Sequence, residues 1–103
     1  MRVYLDDLRP APAGWTQVRW PDEAIKLLET GEVTELSLDH DLGDDEIGTG
    51  YTVLLWIEKA VVLSSFTPPA ITIHTANASA RQKMILALKS IERQLIKRDQ
   101  NTD

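Results

Sequence analysis

Several polar side chains that can bind metals or phosphates follow directly after apolar runs. Two acids and an arginine follow the first run, an Asp-His-Asp triplet follows a later one, and a histidine, a threonine and an asparagine follow the last. They are Asp6, Asp7, Arg9, Asp39, His40, Asp41, His74, Thr75 and Asn77. Carboxylates favour hard divalent cations, and the other groups are phosphate ligands or proton carriers. The residue types indicate a site for a metal and a phosphate.

Asp6, Asp7 and Asp39 are the candidate metal ligands. Two ionised carboxylates about 5 Å apart repel by roughly 3 kcal/mol at an effective dielectric constant of about 20. A divalent ion, Mg²⁺ or Mn²⁺, would offset that repulsion. Without a metal, at least one carboxylate is expected to hold a proton and to have a raised pKa. The alternative is structural, because aspartates also cap turns and accept hydrogen bonds from nearby backbone N–H groups.

The two histidines are candidate catalytic residues, together with the acids around the first of them. His40 and His74 could move protons or hydrogen-bond a phosphate, because imidazole titrates near neutral pH. Asp39 and Asp41 flank His40 and complete the candidate catalytic set.

Arg9, Thr75 and Asn77 are the candidate phosphate ligands. Arg9 could bind a phosphate, or it could form an ion pair with Asp7 or Asp41. Thr75 and Asn77 could donate hydrogen bonds to phosphate oxygens, and the alternative for both is to cap the last helix.

Short apolar runs and helical periodicity predict the elements that position these residues. Strands are predicted at Arg2–Leu5, Thr16–Trp20, Glu35–Leu38 and Ala70–Ile73. Helices are predicted from Pro21 to a stop at Gly31, from about Thr49 to Leu63, and from Ser79, whose spacing to Gln82 is that of a capping box. The prolines of RPAPAGW exclude a regular helix between the first two strands.

This order predicts an α/β fold with a short parallel sheet of about four strands and right-handed crossovers. Ligand sites in such sheets lie beyond the carboxyl ends of the strands. The polar residues that follow the strands are therefore expected to meet along one edge.

Length and composition narrow the class of protein. The 103 residues suffice for a single domain, expected at residues 1–98 with a frayed tail at 99–103. The absence of cysteine excludes disulfides, thiolate zinc sites and cysteine nucleophiles. A net charge of −5 argues against tight binding of duplex nucleic acid, although a phosphorylated small molecule or an RNA end stays a possible partner.

The sequence also bears on location and assembly. MRVYLDDLRP becomes charged too early for a signal peptide, and the apolar window Val53–Phe66 is too short for a membrane span, so a cytoplasmic protein is expected. The segment at residues 51–63 is apolar on most faces of a helix, which suggests a possible homodimer.

The arrangement resembles response-regulator receiver domains, in which paired acids follow the first strand, an aspartate follows the third and a threonine follows the fourth. That resemblance implies a flavodoxin-like, three-layer fold. It also implies Mg²⁺ on Asp6 and Asp7, phosphorylation at Asp39 and a switch hydroxyl at Thr75. The chain departs from the pattern because it lacks the fifth strand with its lysine, and RPAPAGW replaces the regular first helix.

A closer resemblance is to cyclic-phosphate-processing receiver-like domains, a receiver-derived family. It rests on LDDLRP, LSLDHDLG, TGY and IHTAN and covers about residues 2–97. The resemblance implies a metal-dependent phosphoesterase that acts on cyclic phosphates, such as 2′,3′-cyclic ends of RNA or cyclic nucleotides. The alternative is a non-enzymatic signalling or binding module that uses Asp39 as a phosphoacceptor or anion site.

Overall fold

The computed structural model describes residues 1–39 and 49–100. These residues form four strands and three helices. The strands are β1 (Arg2–Leu5), β2 (Thr16–Val18), β3 (Glu35–Leu38) and β4 (Ala70–Ile73), and the helices are α1 (Pro21–Glu29), α2 (Gly50–Ser64) and α3 (Ala78–Gln100). The predicted α/β fold with a four-stranded sheet is confirmed.

All strand pairs are parallel, in the order β2-β1-β3-β4. Leu5 in β1 lies opposite Val18 in β2 and Leu38 in β3, and Leu38 lies opposite Ile73 in β4. The strands therefore end at one level, and the residues that follow them lie along the same edge.

The path of the chain explains where the helices lie. The steps from β2 to β3 and from β3 to β4 run in the same direction across the sheet, so right-handed crossovers place α1 and α2 on one face. Helix α3 packs against α2. The step from β1 to β2 runs the other way, and residues 6–15 form no helix. In the described ranges, helices cover only one face of the sheet, which leaves one of the three expected layers without a described element.

The core lies between the sheet and this single helical layer. Its strand residues are alternate positions, which point to the helices, while the positions between them point to the opposite face. The buried cluster consists of Val3, Leu5, Val18, Ala24, Leu28, Leu36, Leu38, Val53, Leu54, Ile57, Val61, Met84 and Ile91. The opposite face carries Tyr4, Gln17, Ser37 and Thr72, which lie in register across the four strands.

Helix boundaries follow local capping. Helix α1 ends just before Gly31, whose φ of 76° is the left-handed conformation that favours glycine. Helix α3 begins at Ala78, one residue before the predicted start, because Asn77 is its cap: Oδ1 of Asn77 accepts a hydrogen bond of 3.0 Å from the N–H of Ala80. The capping box predicted from Ser79 lies within the first turn of α3.

The helices also bear on the predictions about membrane spans and the C-terminal tail. None of the helices in the described part of the chain has the length and apolarity of a membrane span. Helix α3 continues to Gln100. The division into residues 1–98 and a frayed tail stays a prediction.

We predict that Gly50→Ala lowers the free energy of unfolding by about 1–3 kcal/mol, the usual cost of overpacking. A Cβ on Gly50 would collide with the backbone carbonyl of Asp39, and a backbone group cannot turn away as a side chain can. Chemical denaturation measures the effect.

The control is Ser79→Ala, an exposed position in the first turn of α3, where a change within about 0.5 kcal/mol is expected. Equal stability of Gly50→Ala and wild type would contradict the close approach.

Candidate functional site

Three chemically active residues stand in one row at the edge of the sheet. The backbone N–H of Asp6 donates to the Val18 carbonyl at 3.1 Å, that of Asp39 to the Leu5 carbonyl at 3.0 Å, and that of His74 to the Leu38 carbonyl at 2.9 Å. Each bond extends the parallel ladder one residue past the end of a strand. The row Asp6, Asp39 and His74 is thus positioned by sheet hydrogen bonds.

The carboxylate of Asp6 is held on both oxygens. Its Oδ1 accepts hydrogen bonds of 2.8 Å from the backbone N–H groups of Leu8 and Arg9, which is the structural alternative predicted from the sequence. Its Oδ2 lies 3.1 Å from Nε2 of His74. Burial raises the pKa of Asp6, but the hydrogen bonds from Arg9, Leu8 and His74 outweigh burial and lower the pKa below 3.8. The raised pKa expected for at least one carboxylate of a metal-free cluster is therefore not found at Asp6.

His74 lies between two polar partners and against one aromatic ring. Its Nδ1 lies 2.7 Å from Oγ of Ser37, and its ring stacks on that of Tyr4 at a centroid distance of 4.3 Å and an angle of 8°. Burial lowers the pKa of His74 below 6.5, although the hydrogen bond to Asp6 and the charge of Asp39 raise it in part. In the neutral ring, a proton on Nε2 satisfies the ring and both of its polar partners. Nε2 then donates to Asp6, and Nδ1 accepts from the hydroxyl of Ser37.

Arg9 and Gln17 hold the loop that replaces a first helix. The amide nitrogen of Gln17 donates to the carbonyls of Asp6 (3.1 Å) and Arg9 (2.9 Å), and its amide oxygen accepts from the N–H of Ala11. Nη1 of Arg9 donates to the His74 carbonyl at 2.9 Å. The exposed guanidinium is therefore fixed beside the row of site residues.

Thr75 and Asn77 lead from β4 into α3. Thr75 is 7% exposed, and its Oγ1 accepts from the backbone N–H of Asn77 at 3.2 Å. The side chain of Asn77 caps α3, as the structural alternative predicted. Their roles as phosphate ligands stay predictions.

The structure brings together only part of the predicted metal set. Ligand atoms of Asp6, Asp39 and His74 lie within 4.8 Å of one another, and Asp7 is not in that group. Asp7 is one residue further along, and the alternation of strand side chains predicts the other side of the sheet for it. Its Oδ1 is nevertheless buried with no hydrogen-bond partner in the described ranges. Its role as a ligand stays a prediction.

The donor set fits a divalent cation. Asp6 and Asp39 are 0% and 8% exposed, so their charges are weakly screened and favour a counter-ion. Asp and His together can ligate Mn²⁺, Fe²⁺ or Zn²⁺, and carboxylates alone can ligate Mg²⁺.

Two predicted catalytic residues, His40 and Asp41, lie outside the described residues. Two other site residues, Ser37 and Tyr4, were not predicted. Ser37 lies between the two leucines of ELSL, and it precedes Asp39 by two positions, so strand alternation places both on one face. That spacing was the signal in the sequence that points to Ser37.

We predict that the free energy of unfolding of metal-free protein falls as the pH drops through 6.5. The folded state disfavours protonated His74, so the unfolded state binds more protons near and below that pH. Asp6 adds a separate loss near and below pH 3.8, because its pKa is depressed in the folded state. Denaturant unfolding at several pH values, in the presence of a chelator, measures both.

His74→Gln should remove most of the loss between neutral pH and about pH 5. His40→Gln is the control for the other histidine. A His74 ring that titrates above 6.5 by NMR would contradict the burial argument.

Comparison with known proteins adds one match. The model of a family described as cyclic-phosphate processing receiver domain matches residues 1–90. The searches found no matching curated protein and no matching solved structure. The matched range includes every strand and every predicted site residue.

Proposed function

The chain belongs to the cyclic-phosphate processing receiver domain family, and on that premise we propose that it is a metal-dependent phosphoesterase that hydrolyses cyclic phosphates. The observation that carries the proposal is the row formed by Asp6, Asp39 and His74, whose ligand atoms lie within 4.8 Å of one another. The family model supports the receiver-like fold and the link to cyclic phosphates, and the row supplies chemistry suited to hydrolysis.

Asp6 and Asp39 would hold the metal ion, with Asp7 as a further oxygen donor. The low pKa of Asp6 keeps its carboxylate ionised, as a metal ligand must be. A bound divalent cation supplies a Lewis acid for a phosphoryl oxygen and lowers the pKa of a bound water.

Arg9, Thr75 and Asn77 would bind the phosphate. Arg9 uses one nitrogen on the His74 carbonyl, and a guanidinium has further N–H donors for phosphate oxygens. Oδ1 of Asn77 is occupied as a helix cap, which leaves its Nδ2 as a donor. Arg9 follows β1, whereas Thr75 and Asn77 follow β4.

Proton transfer is assigned to His74 or His40, with Asp41 beside the latter. In the hydrolysis, a water oxygen bonds to phosphorus, one of the two ring P–O bonds breaks, and the water proton ends on the departing ribose oxygen. A neutral imidazole can accept the first proton and return it to the leaving group. The products are a phosphomonoester and a free hydroxyl.

We predict that Asp39→Asn lowers the rate of hydrolysis of a 2′,3′-cyclic nucleotide by roughly a hundredfold or more, because it removes a buried charge that would hold the metal. The assay follows ring opening by ³¹P NMR with Mg²⁺ or Mn²⁺, and uses cyclic-ended RNA as a second substrate. Glu29→Gln, at the exposed end of α1, is the matched control.

Absence of hydrolysis by wild type with either metal over several hours would overturn the enzymatic proposal. The alternative is a signalling module phosphorylated on Asp39, which is 8% exposed and directly follows β3, next to β4 in the sheet. Incubation of the same sample with a small-molecule phosphodonor, followed by intact mass, separates the two: signalling adds one phosphoryl group in wild type and none in Asp39→Asn.

We also propose that a second copy of the chain binds the outer surface of α2 and α3. Leu55 and Val62 on α2 are 48% and 56% exposed, and Leu86 on α3 is 64% exposed. Leu55 and Leu86 line one shallow groove together with Glu58 and Lys83. These charges are opposite and sit on different helices, so a two-fold arrangement lets Glu58 of each copy approach Lys83 of the other.

We predict that Leu86→Glu converts the dimer to a monomer, because it places a charge in the apolar centre of that surface. Light scattering across a wide dilution series measures the mass. Lys26→Glu on the exposed side of α1 is the control and should leave the dimer intact. A monomeric wild type at the highest concentration would contradict the proposal.

A further inference from the structure

We infer that His74 is a metal ligand through Nε2, alongside Asp6 and Asp39, and that the site therefore favours a transition-metal ion such as Mn²⁺ over Mg²⁺. This inference rests on the proposed function for the presence of a metal. It deepens that proposal by naming a nitrogen ligand and a class of ion, and it assigns proton transfer to His40, because both ring nitrogens of His74 are then occupied.

The donor atoms of Asp6 and His74 have the spacing of two adjacent metal ligands. Oδ2 of Asp6 and Nε2 of His74 lie 3.1 Å apart. Two adjacent ligands of a six-coordinate ion, each at about 2.1–2.2 Å, are themselves separated by about 3 Å. With Asp39, the three ligand atoms lie within 4.8 Å of one another. An ion could bind Asp6 and His74 at their present spacing, and an adjustment of the Asp39 side chain would add the third ligand.

Ser37 is the partner of the other ring nitrogen of His74. A histidine that ligates a metal through one nitrogen nearly always donates the N–H of the other to a nearby acceptor. Oγ of Ser37 lies 2.7 Å from Nδ1 of His74 and is 7% exposed as a residue. A hydroxyl can accept as well as donate, so Ser37 suits the ring with its proton on Nδ1, which leaves the lone pair of Nε2 for the ion. Ser37 is thus a positioning residue.

The surroundings of the ring and of Asp6 restrict their movement. The stack on Tyr4, with rings 8° from parallel, fixes the plane of the imidazole. The two backbone N–H groups on Oδ1 of Asp6 leave Oδ2 as the oxygen that faces His74. One oxygen from each carboxylate and one imidazole nitrogen form a mixed donor set.

The mixed donor set determines the class of ion. Mg²⁺ takes oxygen ligands and dehydrates reluctantly, whereas imidazole suits later divalent ions. Mn²⁺ accepts both carboxylate and imidazole ligands. Along the first-row divalent metals, the affinity of such a mixed site increases from Mn²⁺ to Fe²⁺. A ligand set that includes His74 therefore disfavours the binding of Mg²⁺ relative to the binding of Mn²⁺.

The test uses Mn²⁺ itself on the full chain, after removal of metals. Titration calorimetry should show Mn²⁺ binding at least about tenfold more tightly than Mg²⁺. Pulsed electron paramagnetic resonance of the Mn²⁺ complex should show coupling to a directly bound ¹⁴N. His74→Gln should abolish that coupling and weaken Mn²⁺ more than Mg²⁺, whereas Asp39→Asn should weaken both ions.

Two further variants complete the design. Ser37→Ala should keep the ¹⁴N coupling and weaken Mn²⁺ by about tenfold, the usual effect of removing an outer partner. His40→Gln should keep the coupling unchanged. Circular dichroism and denaturant unfolding confirm that each variant is folded.

The inference is overturned if the Mn²⁺ complex has no ¹⁴N coupling, if the coupling survives His74→Gln and is lost in His40→Gln, or if Mn²⁺ does not bind. These outcomes differ from a failure of the proposed function. A ¹⁴N coupling without hydrolysis of any cyclic phosphate would contradict the enzymatic proposal and support the assignment of His74 as a ligand. Hydrolysis without a ¹⁴N coupling would contradict the assignment of His74 and support the enzymatic proposal.

Discussion

The site depends on hydrogen bonds that extend the parallel sheet by one residue beyond its strands. The N–H groups of Asp6, Asp39 and His74 each donate to a carbonyl at the end of the neighbouring strand. Because parallel ladders keep strands in register, these bonds put three side chains in one row and point them to the same face. The row then brings two buried carboxylates and an imidazole together, a costly arrangement that hydrogen bonds from the adjacent loop offset. Ordinary sheet geometry thus creates an unusual concentration of charge.

The same topology leaves one face of the sheet without a described helix. Both helical crossovers run in one direction across the sheet, and the connection that would cover the other face, residues 6–15, contains prolines and no helix. Gln17 holds that connection with side-chain hydrogen bonds. Tyr4, Ser37 and His74 therefore pack on one another on this face, where a helix would otherwise lie. The polar site therefore lies on a sheet face that no described helix covers.

The apolar runs, and the polar residues that follow them, were sufficient to predict the strands, the parallel sheet and the edge at which the site lies. They could not predict which side chains meet, because that depends on register between strands far apart in sequence. Register explains why His74 joins Asp6 and Asp39, whereas the alternation of strand side chains explains why Asp7 is not in their group. Register also explains the omission of Ser37, whose importance comes from a partner 37 residues away. Local capping was ambiguous too: the sequence allowed Thr75, Asn77 or Ser79 as the N-cap of α3, and the hydrogen bond from the N–H of Ala80 to Oδ1 of Asn77 identifies Asn77.

The close approach of Gly50 to the carbonyl of Asp39 has a consequence for communication across the molecule. The first residue of α2 rests directly on the backbone of a site residue, with no side chain between them to absorb a movement. A ligand that displaced the backbone of Asp39 would therefore press directly on the start of α2, the helix that carries Leu55. If such a movement changed affinity on the outer side of α2, thermodynamic linkage would require binding there to change affinity at the site by the same factor. The contact at Gly50 is thus a direct backbone link between the candidate metal site and the candidate association surface.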